Sequence, residues 1–405
     1  MLHVQLKTIF STMPAFKSRI ESALSARKAQ GLNRSMNVVF AGNQSILEHD
    51  GRRYINFSSN DYLGLANDQA LVRAWQQGLS VYGSGSGASP MVTGFSAAHS
   101  NLEAALTEWL GFERAILFGS GFSANQALLF TLLEKSDVLI QDRLNHASLM
   151  EAGALSTAKM KRFKHNDIKH LETLFTNEGN HLVVTEGVFS MDGDCAPLKD
   201  IAEVARLRNA WLAVDDAHGI GVLGEAGGGS CELANVKPEI LVVTFGKAFG
   251  MSGAAILCDQ ATGDFLTQFA RHHVYSTAMP PAQAYALTHA VSMIQEQSWR
   301  REKLAELNEV YQTNLSGLDG FVETDTPIKP FVETDTPIKP FVIGESELAL
   351  QVANACRQNG IWVTAIRPPT VPKGTSRLRI TLTASHSTEQ VKTLSIALKQ
   401  ALGAL

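Results

Sequence analysis

Three short stretches carry residues able to do chemistry, and each follows an apolar run. "VDDAHG" places Asp215, Asp216 and His218 after "WLAV", and "TFGK" places Lys247 after "ILVV". "DRLNHAS" places His146 after "DVLIQ". A fourth stretch, "AILFGSGFSANQALL", passes from an apolar run through Gly119–Gly121 into a helical pattern that starts near Ser123. Backbone N–H groups in such a turn, together with the N-terminus of the helix, suit a phosphate. If the apolar runs are strands of one open sheet, ligands collect outside their carboxyl ends. An acid, two histidines, a lysine and a phosphate cradle would then converge on one rim.

That combination suits pyridoxal 5'-phosphate. The lysine would form a Schiff base with the aldehyde, which requires a neutral amine. Bringing a lysine from about 10.4 to near neutrality costs roughly 4 kcal/mol, obtainable from desolvation and nearby cations. Gly246, Ala248 and Gly250 beside Lys247 would let the cofactor approach the backbone. An aspartate at the pyridine nitrogen keeps it protonated and the ring an electron sink. A histidine beside the ring can stack on it and move protons. A single lysine after a strand is ordinarily a surface residue, and "DDAH" alone could cap a helix or bind metal. No HExxH or other close ligand spacing accompanies it, however, so no metal is expected. The ordered combination is far more specific than any of its members.

The elements that must position these residues follow from the pattern of the chain. "RAILF", "DVLIQD", "HLVVTEG", "WLAVDDAH" and "ILVVTFG" alternate with helical stretches, which predicts a mostly parallel sheet covered on both faces. Upstream, Ile20–Gln30 reads as a solvent-facing helix, "RRYINF" as a short strand, and Leu102–Leu110 as a helix ended by Gly111. From Pro280 a long helical stretch runs through Leu307. Beyond it, "PFVIGE" and "GIWVTAI" flank the helical "SELALQVANACRQ" and suggest a separate α+β unit. The division expected is an N-terminal helix and arm over 1–56, a large cofactor-binding domain over 57–297, and a small C-terminal domain over 298–405.

Two glycine motifs fail on context. "GIGVLG" (Gly219–Gly224) matches GxGxxG after a strand, but "EAGGGS" follows where a pyrophosphate-binding helix should begin. "GSGSGA" (Gly83–Ala88) follows a helical stretch instead of a strand. A nucleotide-binding module is therefore disfavoured. One segment stands apart: "FVETDTPIKP" occurs at 321–330 and again, unchanged, at 331–340. A single ten-residue copy is no solenoid. It reads as a recent tandem duplication or a sequencing artefact, with only one copy able to lead into "FVIGE" and the other looping out at little cost in closure entropy.

Taken together, "FSSNDYLGL", "GSGFSANQA", "DRLNHASL", "TEGVFSMDGD", "VDDAHGIGVLGE", "TFGKAFG", "YSTAMPP" and "TAIRPPTVP" resemble the α-oxoamine synthases, which are fold-type I pyridoxal-phosphate transferases. The resemblance runs from about Ile20 to the C-terminus and departs only at the duplicated decapeptide. It implies a mostly parallel α/β large domain with a smaller α+β C-terminal domain. It also implies a decarboxylative condensation of L-alanine with a pimeloyl thioester, on acyl carrier protein or coenzyme A. Carbon dioxide, free carrier and an amino-oxo acid on the route to biotin would be released. By this match Lys247 would hold the cofactor and take the α-proton of alanine, Asp215 would pair with the pyridine nitrogen, and His218 would bond the ring hydroxyl. His146 would stack over the ring and polarise the acyl carbonyl. Gly121 and Phe122 would hold the phosphate, with Thr244 and Ser190 also lining the cofactor. Ser276 and Thr277 would reach the phosphate of a partner subunit, implying a homodimer with shared active sites. Asn60 and Arg379 would hold the amino-acid carboxylate, and Arg34, Arg367 and Thr370 would lie near the acyl substrate or product.

A sister synthase, of the glycine C-acetyltransferase or 5-aminolevulinate synthase type, would share these motifs, since pocket shape decides the substrate. A non-catalytic scaffold subunit would be marked by loss of the lysine, and Lys247 is present. The bulk numbers agree with a globular enzyme: 405 residues, 45% hydrophobic, 18% charged, and a net charge of −4. That charge argues against a dedicated nucleic-acid binder. No stretch approaches the roughly 20 apolar residues of a membrane helix, and the N-terminal segment reads as amphipathic without a secretory apolar core. Cys195, Cys231, Cys258 and Cys356 are far apart and form no CxxC pair, which suits a cytoplasmic location. The basic "KMKRFKHNDIKH" (Lys159–His170) reads as a solvated helix or turn face that could dock an acidic carrier protein.

Overall fold

The apolar runs around the candidate residues fold into one seven-stranded sheet, in the order β3-β9-β8-β7-β6-β4-β5. The computed structural model describes residues 16–40, 42, 44–315, 318 and 336–403. In chain order the first strands are β1 (Ile46–His49), β2 (Arg52–Asn56), β3 (Arg114–Phe118), β4 (Val138–Asp142), β5 (Lys159–Phe163), β6 (His181–Glu186) and β7 (Trp211–Asp215). They are followed by β8 (Ile240–Thr244), β9 (Ala254–Cys258), β10 (Ile338–Gly344), β11 (Ile361–Trp362), β12 (Thr364–Ile366) and β13 (Ser376–Thr381). Strands β4 to β8 pair in parallel, and only β9 runs against its two neighbours. The central parallel strands β4, β6 and β8 are buried along their whole length, as strands covered by helices on both faces must be.

β9 was not among the expected strands. After Lys247 the chain turns back through Gly250 and Gly253, at φ 68° and 102°, and pairs antiparallel with β8. A Cβ at Gly250 would stand 2.3 Å from the Ala66 backbone nitrogen, so the turn closes only with glycine there. This tight return packs the Lys247 loop against the 61–66 segment.

Two smaller sheets complete the fold: β1-β2-β11, and an antiparallel β10-β13-β12. The parallel pairing of β2 with β11 ties the 46–56 hairpin to the C-terminal elements. Helix Ala97–Leu110 ends, as its sequence predicts, at a left-handed Gly111. The stretch after Pro280 is two helices, Pro281–Glu296 and Trp299–Leu315. They part where Ser298 opens the second, its hydroxyl donating to Glu302 at 2.9 Å. Helix Lys17–Ala29 buries none of its residues.

The basic stretch 159–170 is not a helical or turn face throughout. Its first five residues form β5 at the edge of the sheet, and His165 and Asn166 bond inward to the buried Asp142. Of the repeated decapeptide, the second copy leads into β10 through Ile338, Lys339 and Pro340. The first copy, and the second as far as 335, lie outside the described residues, as does the N-terminal amphipathic segment as far as 15. Among the described residues no helix is long and apolar enough to cross a membrane, and no cluster of side chains could hold a metal ion.

Candidate active site

The parallel strands end on the same side, and that is where the titratable residues gather. Asp215 closes β7, Glu186 closes β6 directly opposite it, and Thr244 closes β8. His146 follows β4 as the N-cap of helix Ala147–Leu155. Lys247 lies three residues past β8. Burial holds the Lys247 amine below the ordinary lysine value, with Asp215 and Glu186 opposing that shift and Arg379 adding to it. Among the described residues Lys247 Nζ donates to no acceptor.

Asp215 is held by two donors. Asn125 Nδ2 donates to Oδ2 at 2.7 Å, and the Ala217 amide donates to Oδ1 at 3.1 Å. Asn125 also donates to Ser148 Oγ at 2.9 Å, and Ser148 Oγ contacts His146 Nδ1 at 2.8 Å. The Ser148 amide points at the same Nδ1, at 3.3 Å. An N–H can only donate, so Nδ1 accepts and the ring proton of neutral His146 sits on Nε2. Burial keeps His146 neutral, against the pull of Asp215 and with help from Lys247. His218 lies well below the usual histidine value, first through burial and then through Lys247, Arg379 and His146.

A second network faces this one. Arg379, on β13, donates from Nη1 to Asn60 Oδ1 at 2.9 Å and from Nε to the Ser190 carbonyl at 2.7 Å. Its Nη2 lies 3.4 Å from the Tyr62 hydroxyl, which is 2.7 Å from His218 Nδ1. The guanidinium is thus oriented on two sides, and none of these partners is a carboxylate.

The turn after β3 passes into a helix, as its sequence predicts. Ser120 caps helix Gly121–Leu132 by accepting from the Ser123 amide at 3.1 Å. The Gly121 and Phe122 amides have no acceptor among the described residues. Nor has the buried Thr244 hydroxyl. A Cβ at Gly121 would stand 2.5 Å from Thr244 Cγ2, so the turn closes directly over the end of β8. Two open amides at a helix N-terminus, an unpaired buried hydroxyl, a half-buried amine without an acceptor and a donor-held carboxylate are the complement of a phosphorylated pyridine aldehyde. The residues present fit pyridoxal phosphate.

Not all expected residues lie here. Arg34, Arg367 and Thr370 line a separate cavity of about 480 Å³. In it Arg34 Nη2 donates to Thr370 Oγ1 at 3.1 Å, and Arg367 donates to the Gly31 carbonyl. Thr364, also in its wall, is the cross-strand partner of Arg379, so one short strand connects the two sites. Ser276 and Thr277 are exposed and line a small cleft with Gly119. Asp216 turns away: both its oxygens accept from Ser230, at 2.7 Å each, and it caps the short helix Gly229–Ala234. Burial pushes its carboxyl up to about 7. Sequence reasoning gave no role to Glu186, Asn125, Ser148 or Tyr62, although all four lie inside the resembling motifs. The signal for Glu186 was available, because "HLVVTE" ends in an acid as "WLAVD" does.

Comparison with known proteins places this geometry. The model of the aminotransferase class I and II family matches residues 52–398. A 8-amino-7-oxononanoate synthase of Vibrio parahaemolyticus is 96% identical over 393 residues, covering 97% of this chain and 100% of the relative. One from Vibrio campbellii is 86% identical over the same coverage. Among solved structures, serine palmitoyltransferase from S. paucimobilis, in a variant with PLP and myriocin bound, superposes with a TM-score of 0.88 at 26% identity. That match covers 97% of this chain and 100% of the other. The 8-amino-7-oxononanoate synthase of Francisella tularensis gives a TM-score of 0.74 at 28% identity, covering 87% of this chain and 98% of its own.

Proposed function

The chain belongs to the aminotransferase class I and II family, and from that premise we propose that it catalyses the reaction of its 8-amino-7-oxononanoate synthase relatives. L-alanine condenses with a pimeloyl thioester and loses its carboxylate, giving 8-amino-7-oxononanoate, carbon dioxide and the free carrier, within biotin biosynthesis. The observation that carries the reading is a half-buried Lys247 amine, without a hydrogen-bond acceptor among the described residues, within electrostatic reach of Asp215 and His218 at the rim where the Gly121 and Phe122 amides stand open.

Pyridoxal phosphate, when bound, supplies an electron sink for a carbanion at the α-carbon of the amino acid. The protein's own residues do the rest. Gly121 and Phe122 would hold its phosphate, with Thr244 and Ser190 beside it, and Ser276 and Thr277 would do so across a homodimer interface. Asp215, fixed by Asn125, would keep a proton at the ring nitrogen, and His218 would bond the ring hydroxyl. Asn60 and the Arg379 fork would bind the carboxylate of alanine. Lys247, its amine held below the ordinary lysine value by burial, would anchor the cofactor, take the α-proton and later return one. His146 would cover the ring, and its Nε2–H would polarise the acyl carbonyl under attack. Arg34, Arg367 and Thr370 would receive the far end of the acyl chain. Their cavity carries a third arginine, Arg357, and no acidic lining residue, which suits the free carboxylate of a pimeloyl group.

The same reading makes 57–297 the cofactor-binding unit and 298–405 a smaller unit that brings Arg367 and Arg379. It places the enzyme in the cytoplasm, in keeping with four free cysteines. The test is product mass after incubating the protein with pyridoxal phosphate, a pimeloyl thioester, and alanine or glycine. The mass of 8-amino-7-oxononanoate with alanine alone is expected. Product with glycine, or only with another acyl chain, would move the chain to a sister synthase.

A further inference from the structure

The basic stretch that looked like a solvated docking face holds a histidine used internally. His165 Nδ1 lies 3.1 Å from Asp142 Oδ1, and its Nε2 lies 2.7 Å from Asp194 Oδ2. The ring stands edge-on to Phe189, with centroids 4.4 Å apart. Asn166 repeats the link: its amide donates to Asp142 Oδ2 at 2.9 Å and its side chain to Asp194 Oδ2 at 3.0 Å. The two carboxylates belong to opposite walls of the candidate site. Asp142 ends β4 and accepts from the Leu144 amide at 2.8 Å, shaping the turn that delivers His146. Asp194 sits in the hairpin closed by the Val188–Cys195 bridge, whose Ser190 carbonyl accepts from Arg379 Nε. The same hairpin offers Asp192 to Arg377, two residues before Arg379 on β13, and its Gly193 carbonyl to Thr336 at 2.8 Å.

We propose that His165 is a positioning residue for the amino-acid carboxylate site: as a cation bridging Asp142 and Asp194, it fixes the hairpin that aims Arg379. A neutral imidazole has one N–H and could donate to only one of the two carboxylates. Against burial, Asp142 and Asp194 raise His165 to about 10, so both nitrogens carry protons at neutral pH. Without the bridge the hairpin keeps Arg377, Thr336 and the neutral Asn166 contacts but loses its charged tie to the β4 side. The Ser190 carbonyl then no longer fixes the Arg379 fork, and a fork out of register loses part of a bidentate contact. The proposal rests on the reading of Arg379 as the carboxylate ligand.

The experiment is steady-state kinetics on the holoenzyme for His165→Gln, Asp194→Asn and Arg379→Lys, with melting curves for each. For His165→Gln we expect the KM for L-alanine to rise roughly tenfold, the loss of one charge-assisted hydrogen bond. The KM for the thioester should not move, and kcat should stay within about threefold. Asp194→Asn, which keeps the shape of the side chain, should shift the same KM in the same direction even if His165→Gln folds poorly. A merely structural role would lower the melting temperature and leave the alanine KM within twofold, which would overturn the proposal. If Arg379→Lys leaves that KM unchanged, the carboxylate reading itself is wrong and the proposal falls with it. If Arg379→Lys raises it while both other variants do not, the His165 role alone falls.

Discussion

Glu186 and Asp215 are opposed Cα partners on the adjacent parallel strands β6 and β7, and both are buried at the end of the sheet beside Lys247. Two carboxyls this close do not share the site as equals. Asp215 has Asn125 and the Ala217 amide; Glu186 has the His146 amide on one side and leaves Oε1 without a partner. Burial first, and then Asp215, push the Glu186 carboxyl well above its usual value. The pair is therefore asymmetric: Asp215 is held by two donors, while Glu186 is pushed toward its protonated form.

A neutral Glu186 makes a specific prediction for Glu186→Gln. The folded pKa lies above the unfolded one of about 4.3. The glutamate's contribution to stability is therefore complete below that value and is lost as pH rises. Glutamine has no such loss. The variant should gain stability relative to the parent as pH goes from 4 to 8, followed by urea melts across that range, while turnover stays within a few-fold. A stability difference that does not change with pH would mean that Glu186 is ionised in the native protein.

Lys247→Ala removes the amine and leaves the cradle intact. The variant should still bind pyridoxal phosphate through Gly121, Phe122 and Thr244 but show no lysine-linked visible absorbance, and borohydride should fix no cofactor to the chain. Turnover should fall by at least about 10³, the scale of a lost general base. Turnover within tenfold of the parent would place the proton transfer on another residue.

The placement of Asp215, Thr244 and Glu186 was legible because each closes a strand that the sequence pattern predicts. "WLAVD", "ILVVT" and "HLVVTE" announce their own termini, and parallel pairing then aligns those termini. The strand β9 was hidden because its buried "AAILC" follows the lysine loop without a helix between, against the βα rhythm read elsewhere. Its reversal depends on Gly250 and Gly253, which look in sequence like part of the same small-residue loop. The His165 bridge was illegible for a different reason. It joins residues 142, 165 and 194, and nothing local in "KRFKHNDIKH" separates a histidine facing two acids from one facing water. Charge composition described that stretch as a surface, and only the tertiary contacts make it a wall.

Gly121→Ala tests the cradle without touching a titratable group. The added methyl would stand 2.5 Å from Thr244 Cγ2, a β-branched side chain that is buried and has little room to rotate away. Either Thr244 turns its hydroxyl out of place or the helix start lifts off β8. Both outcomes spoil the phosphate site more than the fold, because alanine is a good helix former. Pyridoxal phosphate affinity, from fluorescence titration, should weaken by roughly 10-fold or more, as one or two charge-assisted hydrogen bonds are lost. The melting temperature of the cofactor-free protein should hardly change. Unaltered affinity would mean that the Gly121 and Phe122 amides do not hold the phosphate.

His165 gives the last prediction, in pH. Its folded value, about 10, lies above the ordinary histidine value of 6.5. Burial opposes the shift, and Asp142 at the end of β4 and Asp194 in the hairpin produce it; Asp192, paired with Arg377 of β13, stands in the same hairpin. A group raised in this way contributes its full stability below 6.5 and loses it progressively as pH climbs to about 10. The stability difference between the parent and His165→Gln should therefore be constant at pH 5 to 6 and shrink steadily toward pH 10. Denaturant melts of the two proteins at matched pH measure it directly. A difference that stays level from pH 6 to 10 would mean that His165 is neutral in the folded protein and donates to one carboxylate only, leaving Asn166 as the link between the two walls.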